Sequence, residues 1–212
     1  MEIYSPDVQL IAITPDAQKV IEEAGRTCYL SFDRMSDESF ADFIPKAIAR
    51  SHLSILEHAS ATFRIKGASR AFTHQLVRHR LASFSQQSQR YVKEDEFDFI
   101  VPPSIKENTE ALAEFRACMD ACRESYRKLR AMSVLKEDAR FVLPNALESE
   151  IVFTANFREF RHLFEIRLEP HAQWEIRRVC MEMLIVLQKE APAVFGDFEI
   201  VDREKWIAKV RG

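Results

Sequence analysis

Ala59-Ser-Ala-Thr-Phe-Arg-Ile65 changes side-chain character at every position. Ala59, Ala61, Phe63 and Ile65 fall on one side, and Ser60, Thr62 and Arg64 on the other. Side chains of an extended chain point alternately to opposite faces, so this pattern predicts a half-buried strand. Past Gly67 the period changes, and Ser69–Arg80 is expected to be helical. Outward from this pair, Val8–Thr14 is a short β-like run, and Pro15-Asp16 suits the first turn of a helix passing through Val20 and Ile21 toward Cys28. Phe40, Phe43, Ile44, Ala47 and Ile48 give Ser39–Arg50 helical spacing. Ser83–Gln89 is polar and is expected to be a loop or irregular stretch, and Pro102-Pro103 marks the next break. Asn108–Met132 predicts a long amphipathic helix with Leu112, Phe115, Met119, Cys122, Tyr126 and Leu129 on its apolar stripe. Ile151–Thr154 is a short β-branched strand candidate. Phe157–Arg167 and Ala172–Lys189 are two more helices, separated near Pro170. The expected class is α+β: several helices packed around a small, mainly antiparallel sheet, in one domain over residues 1–212.

The chain has 212 residues, 47% of them hydrophobic, which excludes low-complexity disorder. No stretch approaches the roughly 18 apolar residues that cross a bilayer, and the opening MEIYSPDVQL lacks the basic start and apolar run of a signal peptide. A cytoplasmic protein without membrane association is expected. The four glycines, Gly25, Gly67, Gly196 and Gly212, lie too far apart for a G-x-G-x-x-G turn or a Walker A loop. Any bound phosphate must therefore draw most of its positive charge from side chains. Cys28, Cys118, Cys122 and Cys180 form no C-x-x-C pair, and reduced thiols in or near a core are the plain expectation, with a catalytic thiol as the alternative. No H-E-x-x-H is present, and no metal site is expected.

Charge is unevenly placed. His58 to Lys93 is a 36-residue window without Asp or Glu. Residues 50–93 carry eight Lys/Arg against one acid, a net +7, leaving −10 for the remainder of a chain whose formal charge is −3. Arginines outnumber lysines 20 to 10, and a guanidinium offers phosphates and carbonyls a planar fork where an ammonium offers a point charge. Charge alone leaves three readings open. The segment is a solvated basic face, a module for single-stranded nucleic acid with Phe72, Phe84 and Tyr91 as stacking platforms, or a pocket for an anionic small molecule.

Spacing is more specific. Arg78-His79-Arg80 is followed after seven residues by Ser88, and then by Arg90-Tyr91. Upstream stands His52-Leu-Ser54-Ile-Leu-Glu57-His58. Downstream come Ala139-Arg140-Phe-Val-Leu-Pro144, Asn156-Phe-Arg158, Arg167 and His171-Ala-Gln-Trp-Glu-Ile176. These blocks, in this order over roughly residues 50–190, resemble the flavin-dependent thymidylate synthase family.

The resemblance implies a homotetramer with active sites at subunit interfaces, FAD as cofactor, and reductive methylation of dUMP to dTMP with methylenetetrahydrofolate as carbon donor and NADPH as reductant; nucleic acid is not an implied partner. It implies that Gln75, Arg78, Gln86, Gln87, Ser88, Arg90, Arg140 and Arg167 bind dUMP. Ser54, Arg78, His79, Arg80, Gln86, Asn156, Arg158 and His162 would hold FAD, with His52 near the flavin ring. Arg167 matches the residue expected to act on uracil. A guanidinium stays protonated, so electrostatic activation suits it better than base catalysis. Ser88 has no evident base beside it in sequence, so binding is expected of it rather than nucleophilic attack. A helix over Ser69–Arg80 would put Gln75 and Arg78 on one face, and an extended segment would aim Ser88 and Arg90 at one phosphate. The chain departs from the family pattern at Ser85 and Gln86, where other members carry Asn and Glu, and at His162, where Asn can occur.

Overall fold

The alternating stretch is a strand, and its expected inner residues are inside: Ala59, Ala61, Phe63 and Ile65 are each at most 1% exposed. The computed structural model describes residues 1–211. In chain order the elements are β1 (Glu2–Ile3), β2 (Asp7–Ile13), α1 (Ala17–Thr27), α2 (Phe40–Ala49), β3 (Ser60–Lys66), α3 (Arg70–Leu76) and β4 (Ala82–Gln86). Then follow β5 (Phe99–Ile100), α4 (Pro103–Lys106), α5 (Thr109–Ala131), α6 (Lys136–Ala139), β6 (Ile151–Asn156), α7 (Phe157–Arg167), α8 (Trp174–Glu190), α9 (Pro192–Phe195), β7 (Phe198–Asp202) and β8 (Ile207–Val210). Short 3-10 segments lie at Phe32–Arg34, Leu53–His58 and Arg140–Val142. One sheet has the strand order β2-β3-β6-β4; β1 pairs with β5, and β7 with β8. The β7–β8 pair is antiparallel, with a register shift between Ile200 and Asp202, whereas β1 runs parallel to β5 with Glu2 opposite Phe99. The architecture is the expected mixture of helices and small sheets.

The chain divides into two compact units, one comprising Met1–Asp7, Ile65–Leu76 and Ser85–Ile151, the other Val8–Arg64, Val77–Phe84 and Val152 onward. In the first, Phe97, Phe99, Val101, Met119 and Leu147 form a core to which the α5 stripe contributes Leu112, Phe115 and Cys122. Asn108 caps α5 by accepting from the backbone N–H groups of Glu110 and Ala111, which fixes where that helix starts. In the second, Phe63, Phe153, Phe160 and Phe164 meet edge-on or tilted at centroid distances of 5.3–5.9 Å. Phe157, Phe195 and Phe198 extend that cluster. Truncating one such ring to alanine typically costs about 3–5 kcal/mol.

Two expected elements differ. The helix over Ser69–Arg80 stops at Leu76. Val77 and Arg78 form a turn, beyond which His79 is buried between exposed Arg78 and Arg80. Gln75 and Arg78 therefore do not share a helix face. Ser83–Gln86, in the stretch read as a loop or irregular segment, belongs to β4. Its period of two was hidden because a polar residue, Gln86, occupies the inward side with Ala82 and Phe84.

Candidate active site

In the second unit the chemistry gathers at α7. Asn156 ends β6 and caps α7, its side-chain oxygen accepting from the Glu159 N–H at 2.9 Å. This helix carries Glu159, His162 and Arg167. His79 stands against it, 5% exposed, with Nδ1 3.2 Å from Glu159 Oε1 and Nε2 3.1 Å from Arg167 Nε. An arginine N–H only donates, so Nε2 accepts and the ring proton sits on Nδ1, facing the carboxylate. Burial holds the imidazole below its ordinary pKa, Arg167 and His162 push it further down, and Glu159 opposes them. The ring is thus kept neutral. The His162 ring lies 6.2 Å away, centroid to centroid.

The same unit contains an open cavity of about 1350 Å³ lined by His52, Ser54 and Arg158 together with Arg26, Arg34, Lys46 and Arg50. The first three come from two distant motif blocks and meet here. Arg158 pairs with Glu57 at 2.5 Å. Arg26 is held by the wholly buried Glu22, at 3.1 Å from Nε and 2.7 Å from Nη2. Glu22 also accepts from the Ser39 hydroxyl, which ties the segment after α1 to that helix. Arg26, Arg34 and Lys46 escaped the sequence reading because each is a lone cation outside any motif block; only the structure groups them.

In the first unit, Gln86 donates to the buried hydroxyls of Thr73 (2.8 Å) and Ser149 (2.9 Å). Gln87 is clamped three ways. Its backbone N–H donates to the Glu150 carbonyl, its side-chain oxygen accepts from the Glu150 N–H, and its amide nitrogen donates to buried Glu94 at 3.0 Å. Burial pushes the Glu94 carboxyl above the ordinary carboxylate range. The Ser88 carbonyl accepts from the Tyr91 and Val92 N–H groups, making a tight turn, and the Ser88 hydroxyl accepts from the Arg90 N–H at 3.3 Å. The Arg90 guanidinium turns to Glu137 at 2.9 Å rather than toward Ser88. Arg140 is half-buried and donates to the Glu137 carbonyl at 3.0 Å. Gln75 contacts the Ala71 carbonyl at 3.3 Å. Of the residues assigned to dUMP, Gln75, Gln86, Gln87, Ser88, Arg90 and Arg140 thus belong to the first unit, and Arg78 and Arg167 to the second.

For nucleic-acid stacking, Phe72 is fully buried and Phe84 packs on Phe153 at 5.5 Å, so only Tyr91 of the three aromatics is freely exposed. Among the described residues no group of three or more His, Cys, Asp or Glu is placed to hold a metal ion. No helix among them is long and apolar enough to cross a membrane.

Residues 9–193 match the model of a protein family described as thymidylate synthase complementing protein. A flavin-dependent thymidylate synthase of Geobacter sulfurreducens is 44% identical over 198 residues, covering 90% of this chain and 85% of its own. One from Nitratidesulfovibrio vulgaris is 43% identical over 210 residues, covering 90% and 86%. The chain belongs to the flavin-dependent thymidylate synthase family. Membership makes this thymidylate synthase homologue an enzyme, as its motif blocks implied. The fold of the family member matches that of a UMP/dUMP methylase, PolB, of Streptomyces cacaoi with a TM-score of 0.84, at 23% identity over 92% of this chain and 95% of that one.

Proposed function

We propose that this enzyme reductively methylates dUMP to dTMP, with methylenetetrahydrofolate as carbon donor, FAD as hydride carrier and NADPH as reductant, and that it works in the cytoplasm as a homotetramer with interfacial active sites. The observation that carries the reading is the convergence of His52, Ser54 and Arg158, from separate motif blocks, on one cation-lined cavity.

The donor set of that cavity suits a dinucleotide. FAD brings a pyrophosphate, the chain has no glycine cradle, and Arg26, Arg34, Arg50, Arg158 and Lys46 supply the charge instead. His52, Ser54, Arg78, His79, Arg80, Gln86, Asn156, Arg158 and His162 are the residues proposed to hold the cofactor. Bound FAD supplies the hydride that completes the new methyl group.

Gln75, Arg78, Gln86, Gln87, Ser88, Arg90, Arg140 and Arg167 are proposed to hold dUMP. The turn at Ser88 puts a hydroxyl and the Arg90 guanidinium in one short segment, donors suited to phosphate. The Arg90–Glu137 pair is about half exposed, and such pairs contribute roughly 0–1 kcal/mol, so a dianionic phosphate readily displaces the carboxylate. Arg167 binds His79 through Nε, which leaves Nη1 and Nη2 as a fork for the uracil edge. Its fixed positive charge stabilises negative charge building on the ring as C5 becomes nucleophilic. Cysteine attack at C6 is not the route through Cys180, because complete burial pushes that thiol far above the range where a thiolate forms. No basic side chain is hydrogen-bonded to the Ser88 hydroxyl, whose contact is the Arg90 N–H, consistent with binding.

Tritium release from C5-labelled dUMP, in the presence of FAD, methylenetetrahydrofolate and NADPH, tests the reading. A yellow preparation that releases tritium supports it. A colourless protein that cannot be reconstituted with FAD, and that binds oligonucleotides with steep salt dependence, overturns it.

A further inference from the structure

We infer that Glu159, which no motif block includes, is a positioning residue that locks the His79 tautomer and thereby aims the Arg167 guanidinium. The inference rests on the role proposed above for Arg167 and adds the device that orients it.

Glu159 occupies the third residue of α7. A glutamate there commonly reaches back to the backbone N–H of the capping residue. Here its side chain turns instead to the buried His79 ring, 3.2 Å from Nδ1. Both groups are 5% exposed, so water does not compete for the contact. An ionised carboxylate offers only acceptors and therefore selects the imidazole with its proton on Nδ1. That choice leaves the Nε2 lone pair bare, and Arg167 Nε–H fills it at 3.1 Å. The opposite tautomer would set N–H against N–H and release the guanidinium. One carboxylate thus fixes, through one ring, which edge of Arg167 is tethered.

The charged and titratable groups facing His79 are Glu159, Arg167 and His162, all on α7, and Cys180 of α8 adjoins Arg167. Two of these favour the neutral ring, and protonating it would place a second cation beside Arg167 while removing the acceptor. Buried polar pairs of this kind add little net stability, so orientation is the function that the geometry supports.

The test uses the whole enzyme with histidines labelled in nitrogen-15, the His79 signals being assigned by their loss in His79→Gln. In the unsubstituted protein Nδ1 is expected to carry the proton and Nε2 to be bare. In Glu159→Gln, whose amide can donate or accept, the signals should shift toward the Nε2–H form. Turnover should fall about tenfold or more, while flavin absorbance and the dUMP dissociation constant stay within about twofold. A proton on Nε2 in the unsubstituted protein overturns the inference, as does a Glu159→Gln enzyme with unchanged turnover. The tautomer measurement needs no activity and no substitution at Glu159. Failure of tritium release by the unsubstituted enzyme would instead count against the proposed reaction.

Discussion

At Gln86 the hydrogen bonds around one residue dictate its chemistry. Thr73 gives its hydroxyl proton to the Arg70 carbonyl at 3.1 Å, so toward Gln86 it presents only lone pairs. The Gln86 amide nitrogen, at 2.8 Å, is the donor that site requires. A carboxylate would set acceptor against acceptor beside a buried oxygen. Gln86→Glu should therefore cost about 1–3 kcal/mol, read as a lower urea midpoint with unchanged slope; an unaltered midpoint would show that Thr73 can reverse its bond. Arg167 is constrained in a similar way. One N–H is bound to His79, and the remaining donors are the ones proposed for substrate. Lysine keeps the charge but has no separated fork, so Arg167→Lys should retain flavin absorbance while turnover falls about a hundredfold or more. Near-normal turnover would remove Arg167 from the chemistry.

Among elements, the turn at Ser88 and the adjoining α6 meet through Arg90 and Glu137. Glu137 competes with any phosphate for the same guanidinium, so Glu137→Gln should tighten dUMP binding a few-fold by calorimetry. Weaker binding would mean that Glu137 orients Arg90 rather than occupying it. Elements with strong periodicity were legible in the sequence: β3, α5 and α7 fall where alternation or helical spacing placed them. α3 and β4 were misread because His79, between them, and Gln86, at the end of β4, answer to partners distant in sequence. His79 is drawn inside by Glu159, 80 positions away, and Gln86 by Ser149, 63 away, neither of which leaves a local pattern. The same reason hides Glu159 and the cavity cations Arg26, Arg34 and Lys46. The motif blocks identified the family chemistry, whereas the side chains that orient it are ordinary residues until the fold places them.

For the whole molecule, segregated charge and buried acids make stability depend on pH in opposing ways. Glu94 and Glu148 are pushed above the ordinary 4.5, chiefly by burial. In the window from 4.5 up to their raised values the folded chain holds more protons than the unfolded one, so stability falls as pH rises through it. The deficit then persists at neutral pH. Glu2, held down to about 2 chiefly by Arg116, acts oppositely and loses its contribution as pH falls below 4.5. His79, lowered from 6.5 chiefly by burial, also costs stability as acid charges the unfolded chain first. Glu94→Gln isolates one of these effects, because its amide oxygen can still accept from Gln87 Nε2 while the ionisation disappears. This variant should unfold at higher urea than the unsubstituted protein at pH 8 and at nearly the same urea at pH 4, with equal slopes at both. A gap of the same size at the two pH values would mean that Glu94 acts through packing or hydrogen bonding rather than through its charge.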